Sequence, residues 1–393
     1  MFKYIILCLS VCLCVSCAPN KEEGATCEWE GLKGTCVSEK RCMTTLDNRN
    51  PKQPACPHQG GKDLICCTDC ELIENTDDIV IMPDGGFYIK DGRKARDNCL
   101  HYIKDLQYKC HEDVYGGLTR TLNKEKKCHG FSFYAVGGAP AVSLTGSKEE
   151  PRAEYPHQAL LGFGDTKETA TWLAGGSIIS DRYVLTAAHV LKSGSKVPDN
   201  VNFVAVGVKS FSDKSNWQIL KIKRVVPHPN YIYPSKHNDI GLVETETLIE
   251  FGPDVLPACL HVDDTIDTSQ AIATTWRDLT SSDEGYADSI QTIRDLEQNS
   301  EKECSETYPK SRQLMDGFDN ETQVCYASKK HSNESCKGLS GEPLLVRNQF
   351  SNCVYTVVGV TSSGYRCASQ DVKPEIYTRV AHYVSWIESV VWP

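Results

Sequence analysis

The chain has 393 residues, a formal net charge of −10 and no stripe of basic residues, so nucleic acid is an unexpected partner. This length allows one large domain or two to three smaller modules. The 20 cysteines and an apolar start to the chain narrow the class of protein further.

The first 18 residues, MFKYIILCLSVCLCVSCA, have the pattern of a secretory signal peptide. One early lysine precedes an apolar run that is too short to span a bilayer, so we predict cleavage near Cys17 or Ala18 rather than a membrane anchor. Cleavage there leaves 16 cysteines. An even number in a secreted chain predicts a disulfide framework rather than a zinc site, and we expect no metal and no other cofactor.

Six cysteines lie within residues 27–67, a segment too short to bury a sufficient apolar core without disulfides. The adjacent pair Cys66–Cys67 ends this segment. The pattern resembles the clip domain of arthropod serine proteases. That resemblance implies three disulfides: Cys27–Cys66, Cys36–Cys56 and Cys42–Cys67.

Residues 68–143 are predicted to be a polar linker, mostly extended and exposed. It contains four cysteines, namely Cys70, Cys99, Cys110 and Cys128. In the resembled family, a cysteine shortly before the protease domain bridges to a cysteine within it. The resemblance therefore implies the pair Cys128–Cys259.

Residues 144–393 contain short β-type runs such as QALLGF, YVLTAA and YTVVGVTSS, punctuated by Gly, Pro, Asn and Asp. A helix-compatible tail, VAHYVSWIESVVWP, follows them. Many short strands with turn signals predict an all-β barrel or sandwich. The trypsin-like double β-barrel with a C-terminal helix, preceded by the small clip domain, fits this length and this tail.

Three motifs in this region, TAAHV, NDIGLVE and GLSGEP, supply His189, Asp239 and Ser340 in that order. Nucleophilic catalysis by serine needs an imidazole that takes its proton and a buried carboxylate that orients the imidazole. Together the motifs resemble the chymotrypsin-like serine proteases over all of residues 144–393. The backbone N–H groups of Gly338 and Ser340 would then form the oxyanion hole.

The device that activates such enzymes departs from the family pattern. Cleavage after a basic residue normally frees an N-terminal Ile, whose ammonium pairs with the Asp beside the catalytic Ser. Here Ser143 and Leu144 occupy the cleavage position, and Leu339 replaces that Asp. Burying an ammonium without a partner costs several kcal/mol, so we predict that proteolytic activation has been lost.

The substrate pocket departs from the pattern as well. Glu334 stands where enzymes that select Arg or Lys have Asp. However, Glu375 replaces a Gly that lines the pocket and is expected to fill it, while Ser363 replaces a Trp that walls it. Glu342 replaces the second Gly after the serine.

The remaining cysteines and two glycosylation sequons complete the predicted covalent features. Ala174 and Val190 stand where the family has a disulfide around the catalytic His. The resemblance implies the pairs Cys304–Cys325 and Cys336–Cys367, and by elimination Cys353 pairs with Cys70, Cys99 or Cys110. The sequons NET and NES place N-glycans on Asn320 and Asn333.

Three functions fit this sequence. The favoured one is a secreted clip-domain serine protease homologue that binds secreted proteases or pro-enzymes and regulates a haemolymph cascade such as melanisation, without cleaving peptides. The second is an active endopeptidase with a preference for basic residues, for which the triad, Gly338 and Glu334 argue. In the third, the clip module binds microbial surfaces. A host cofactor and a venom component would share the pattern.

Overall fold

A computed structural model describes residues 22–46, 52–56, 64–74, 79–81, 87–89, 93–106, 108, 117–134, 154–192, 201–262, 266–277, 286–328, 339–348, 354–363 and 373–393. Backbone contacts divide the chain into two compact units. The first comprises Met1–Ile81, Gly85–Phe87 and Gly117–Tyr134, and the second comprises Met82–Asp84, Tyr88–Gly116 and Ala135–Pro393.

The cysteine-rich start of the first unit forms a four-stranded antiparallel sheet in the order β1-β2-β4-β3. Its three disulfides are Cys27–Cys66, Cys36–Cys56 and Cys42–Cys67, the pairs that the clip resemblance implies. The elements are β1 (Thr26–Trp29), β2 (Leu32–Ser38), a 3-10 turn (Glu39–Arg41), α1 (Met43–Leu46), β3 (Ala55–Cys56) and β4 (Leu64–Cys67).

Part of the predicted linker folds in the first unit. After the short strands β5 (Ile79–Ile81) and β6 (Phe87–Ile89), the strands β7 (Gly117–Asn123) and β8 (Cys128–Tyr134) pair as an antiparallel hairpin. The disulfide Cys70–Cys128 ties this hairpin to the end of the cysteine-rich segment. The predicted pair Cys128–Cys259 is therefore wrong.

Another part of that segment folds in the second unit as the helix α2 (Lys94–Asp105). Ala95, Cys99 and Leu100 are buried on one face of the helix, and Cys99 forms the disulfide with Cys259. This buried helix departs from the prediction that residues 68–143 are mostly extended and exposed. The helix packs in the second unit because the helical spacing of Ala95, Cys99 and Leu100 gives it an apolar face, which must be buried against other residues.

The remaining strands of the second unit form two barrels. The first is closed in the order β10-β11-β14-β13-β12-β9, and the second in the order β16-β17-β18-β21-β20-β19, with β15 added on β20. The bounds are β9 (Gln158–Phe163), β10 (Thr171–Ile178), β11 (Tyr183–Thr186), α3 (Ala188–Leu191), β12 (Val201–Val206), β13 (Gln218–Pro227), β14 (Gly241–Thr245), β15 (Cys259–Leu260), β16 (Gln270–Arg277), β17 (Tyr286–Gln298), α4 (Glu301–Thr307), β18 (Gln323–Ser328), β19 (Pro343–Arg347), β20 (Tyr355–Ser363), β21 (Glu375–Arg379) and α5 (Val380–Val391).

This architecture confirms the predicted all-β double barrel with a C-terminal helix. Ala174 and Val190 lie buried in one apolar cluster, so apolar packing occupies the place of the missing disulfide. The second barrel contains the disulfide Cys304–Cys325. Within the ranges that the structure describes, no helix has the length and apolar character needed to cross a membrane.

Candidate functional site

His189 and Asp239 lie together in the first barrel. His189 is on the short helix α3 directly after the buried strand β11, and Asp239 precedes β14, the neighbour of β11. The Nδ1 atom of His189 is 2.7 Å from Asp239 Oδ2, and the backbone N–H of His189 donates to Oδ1 at 2.8 Å. In this geometry the Nδ1–H of His189 donates to the carboxylate, which leaves Nε2 as the proton acceptor.

Asp239 is completely buried and receives two further partners. The Ser362 hydroxyl donates to Oδ2 at 2.5 Å, and the Lys236 ammonium lies 3.5 Å from the same oxygen. Burial alone would raise the pKa of Asp239, but the charges of His189 and Lys236 and these hydrogen bonds hold it well below its ordinary value. Asp239 is therefore ionised at neutral pH.

Lys236 is a member of the site that the sequence did not reveal. Its side chain is buried, and its ammonium donates to the carbonyl of Ser362 at 2.8 Å. In the sequence, only its place three residues before Asp239, in PSKHND, connects Lys236 with the site. The fold thus brings the Lys236 ammonium to the Asp239 carboxylate, the same carboxylate that orients His189.

The turn that carries Ser340 lies against the strands that position His189. The N–H of Gly175 on β10 donates to the carbonyl of Ser340 at 3.0 Å. Gly341 has a φ of +86°, and a Cβ atom there would lie 2.1 Å from Thr186 Oγ1 and 2.5 Å from Gly175 O. Thr186 ends β11, three residues before His189. The tight approach therefore brings the Ser340 turn to the histidine end of the first barrel.

Gly341→Ala should destabilise the protein by roughly 2–3 kcal/mol, because alanine meets both a left-handed backbone and backbone atoms that cannot move aside. Chemical unfolding measures the loss. The matched control is Gly252→Ala, because a Cβ atom at Gly252 meets nothing within 4 Å. Equal stability of the two variants would contradict the packing of this turn.

Leu339 occupies the position at which the resembled family has its activation carboxylate. Its side chain is 4% exposed and packs in an apolar cluster with Leu160, Trp172, Trp217 and Trp276. An ammonium that entered this cluster would gain no charge partner from Leu339. The nearby Glu342 carboxyl is instead held by backbone N–H groups of the site itself.

The residues predicted to shape the pocket meet on two paired strands. Ser363 ends β20, Glu375 begins β21, and Ser363 is paired with Ile376. Glu375 is buried, and its Oε2 accepts a hydrogen bond from Tyr377 at 2.8 Å. Burial first, and then the adjacent charge of Glu375, raise the pKa of the Tyr377 hydroxyl well above its ordinary value. Glu375 is therefore a buried side chain at the start of β21, and its filling of the substrate pocket stays a prediction.

Several predicted features lie outside the described residues. They are Ser143 and Leu144 of the activation position, Glu334 and Gly338, the pair Cys336–Cys367, Cys110, Cys353, and the sequon at Asn333. Cys70 and Cys99 are paired elsewhere, which removes both as partners of Cys353. Asn320 lies in an exposed turn, where a glycan has access.

Comparisons with known proteins agree with this geometry. Residues 144–387 match the family model described as Trypsin. Serine protease snk of Drosophila melanogaster is 28% identical over 387 residues, which cover 96% of this chain and 81% of that protein. CLIP domain-containing serine protease C9 of Anopheles gambiae is 28% identical over 67% of this chain and 72% of its own length.

A third relative, Phenoloxidase-activating factor 3 of Holotrichia diomphalia, is 28% identical over 63% of this chain and 72% of its own length. The family match covers more than half of the chain, and it coincides with the two barrels and with the paired His189 and Asp239. The chain belongs to the trypsin family, among relatives of the arthropod clip-domain serine proteases.

Proposed function

We propose that this protein is a secreted, non-proteolytic regulator or cofactor of an extracellular protease cascade. The observation that carries this proposal is the burial of Leu339 among aromatic and aliphatic side chains, at the position where activation requires a carboxylate. Because the sequence also has Ser143 and Leu144 at the cleavage position, both members of the activating ion pair are absent.

The cation at Asp239 supports the same proposal. When His189 accepts a proton from Ser340, it becomes an imidazolium whose charge Asp239 must stabilise. The Lys236 ammonium already interacts with the oxygen that faces His189. The carboxylate that would stabilise this imidazolium is therefore shared with the ammonium of Lys236.

The partners that we propose are secreted proteases or pro-enzymes of a haemolymph cascade, including one that leads to melanisation. Support comes from the names of the relatives, which include a CLIP domain-containing serine protease and a phenoloxidase-activating factor. The six disulfides of the described residues and the signal-like first 18 residues support an extracellular location.

A second candidate function is an active serine endopeptidase that cleaves after Arg or Lys. The specific observation in its favour is the His189–Asp239 pair, whose two hydrogen bonds of 2.7 and 2.8 Å orient the imidazole for catalysis. This candidate requires that the Ser340 turn reach its reactive shape without a new N-terminal ammonium.

Mature protein should show no fluorophosphonate labelling of Ser340 and no cleavage of peptides ending in Arg or Lys, with or without a trypsin-like activator. The expected loss of activity follows from the missing activating ion pair, which normally orders the oxyanion hole; one oxyanion donor alone contributes about 3–4 kcal/mol to such reactions. Ser340→Ala defines the background labelling. Stoichiometric labelling of the wild-type protein, but not of Ser340→Ala, would contradict the proposal of a non-proteolytic regulator and support that of an active endopeptidase.

A further inference from the structure

Glu342 has a carboxyl group that is buried beside the Ser340 turn, with only 1% of the residue exposed. Its Oε2 accepts a hydrogen bond from the backbone N–H of Leu339 at 2.6 Å. Its Oε1 accepts another from the N–H of Trp276 on β16 at 3.0 Å. One side chain thus links the residue before Ser340 to a strand of the second barrel.

The first barrel encloses the same side chain. Gln158 Nε2 on β9 is 3.5 Å from Glu342 Oε1. A Cβ atom on Gly175 of β10 would lie 2.3 Å from Glu342 Cγ, so the glutamate fills space that only a glycine leaves open. Residues of both barrels therefore surround the Glu342 carboxyl, and backbone N–H groups of the chain itself donate hydrogen bonds to it.

We propose that Glu342 is an internal anchor that fixes the turn 339–342 in the uncut chain, in place of an ion pair with a newly cut terminus. The resembled device needs a carboxylate at position 339 and an ammonium released by cleavage. Here the carboxyl group comes from position 342, and backbone N–H groups replace the ammonium as its partners. The anchor acts whether or not Ser340 reacts, so it goes beyond the proposed function.

The anchor should respond to pH, because the buried carboxyl titrates near neutrality. Burial raises the pKa of Glu342 to about 8, although hydrogen bonds from Thr275, Trp276 and Leu339 and the charge of Arg277 act in the opposite direction. Arg277 on β16 is the charged group that acts on it within the described residues, since Gln158 of β9 and Gly175 of β10 are uncharged.

The sign of the response follows from linkage. An opened turn exposes Glu342 to water and returns its pKa toward 4.5, whereas the closed turn keeps it near 8. The closed turn therefore binds the proton more tightly than the opened turn does. The free energy needed to open the turn is highest below about pH 4.5 and falls as the pH rises to about 8. Between pH 5.5 and 7.5 the protection factor of the turn should fall roughly 10- to 100-fold.

Hydrogen exchange of the uncut protein, read by mass spectrometry on peptides covering 270–277 and 339–348, tests the anchor. Wild-type protein should protect both segments, with protection that falls over this pH range after correction for intrinsic exchange. Glu342→Ala should lower protection at least tenfold. Glu342→Gln, which keeps the shape without the titrating group, should have a flat pH dependence.

Glu244→Gln is the matched control, because Glu244 is a buried carboxylate of the first barrel held by Lys223 and Arg224. It should leave the exchange of 339–348 and its pH dependence unchanged. Wild-type protection that does not vary with pH would overturn the anchor, even if a variant fails to fold. Unchanged protection in Glu342→Ala would do so too. Labelling of Ser340 alone would overturn only the proposed function.

Discussion

Leu339→Asp is expected to destabilise the protein by about 3–5 kcal/mol and to leave Ser340 unlabelled by a fluorophosphonate. The new carboxylate would be buried in the apolar cluster that includes Leu160, Trp172 and Trp276. It would also lie beside Glu342, whose carboxyl already accepts the N–H of residue 339. Two neighbouring buried carboxyl groups cannot both ionise cheaply.

Denaturant unfolding of Leu339→Asp measures this loss, with Leu339→Asn as the control for shape and polarity without charge. The aspartate variant should regain stability as the pH falls and its carboxyl is protonated, whereas the asparagine variant should not. Wild-type stability of Leu339→Asp at pH 7 would contradict the apolar burial of position 339, and its stoichiometric labelling would contradict the proposed loss of activity.

Removal of the disulfide between Cys99 and Cys259 should cost roughly 2–5 kcal/mol. It closes a loop of 160 residues and fixes the helix α2 in the second unit. The double variant Cys99→Ala/Cys259→Ala avoids free thiols. Because chain entropy grows with loop length, this variant should lose more stability than one that removes a short-range bridge.

The matched comparison is Cys304→Ala/Cys325→Ala, which removes a bridge with a sequence separation of 21. Thermal unfolding of both variants gives the ranking. Peptide mapping without reduction should recover Cys99 linked to Cys259, and Cys70 linked to Cys128. A peptide that links Cys128 to Cys259 would contradict this connectivity.

The sequence by itself determined the class of fold and the identity of His189 and Asp239 in the candidate active site. Short β-type runs separated by turn residues predict a barrel or sandwich because both signals are local in the chain. The TAAHV and NDIGL motifs identify His189 and Asp239 through their resemblance to the chymotrypsin-like proteases. The absence of a carboxylate at Leu339 and of a basic residue at Ser143 also needs no structure.

The tertiary structure decided which distant groups meet. Cys128 was predicted to pair with Cys259, but the hairpin β7–β8 brings Cys128 to Cys70 instead, and helix α2 brings Cys99 to Cys259. The sequence gives no register for such contacts, because loop closure over many residues costs nearly the same for several pairings.

Lys236 and Glu342 show the same limit within the site. A lysine three residues before Asp239 is usually a surface residue, and only the fold buries its ammonium against Asp239 and Ser362. In the sequence, Glu342 is recognised only as a replacement of the glycine that the resembled family has at this position. Its burial between Gly175 and Trp276, and therefore its raised pKa, depends on two barrels that meet only in the folded chain.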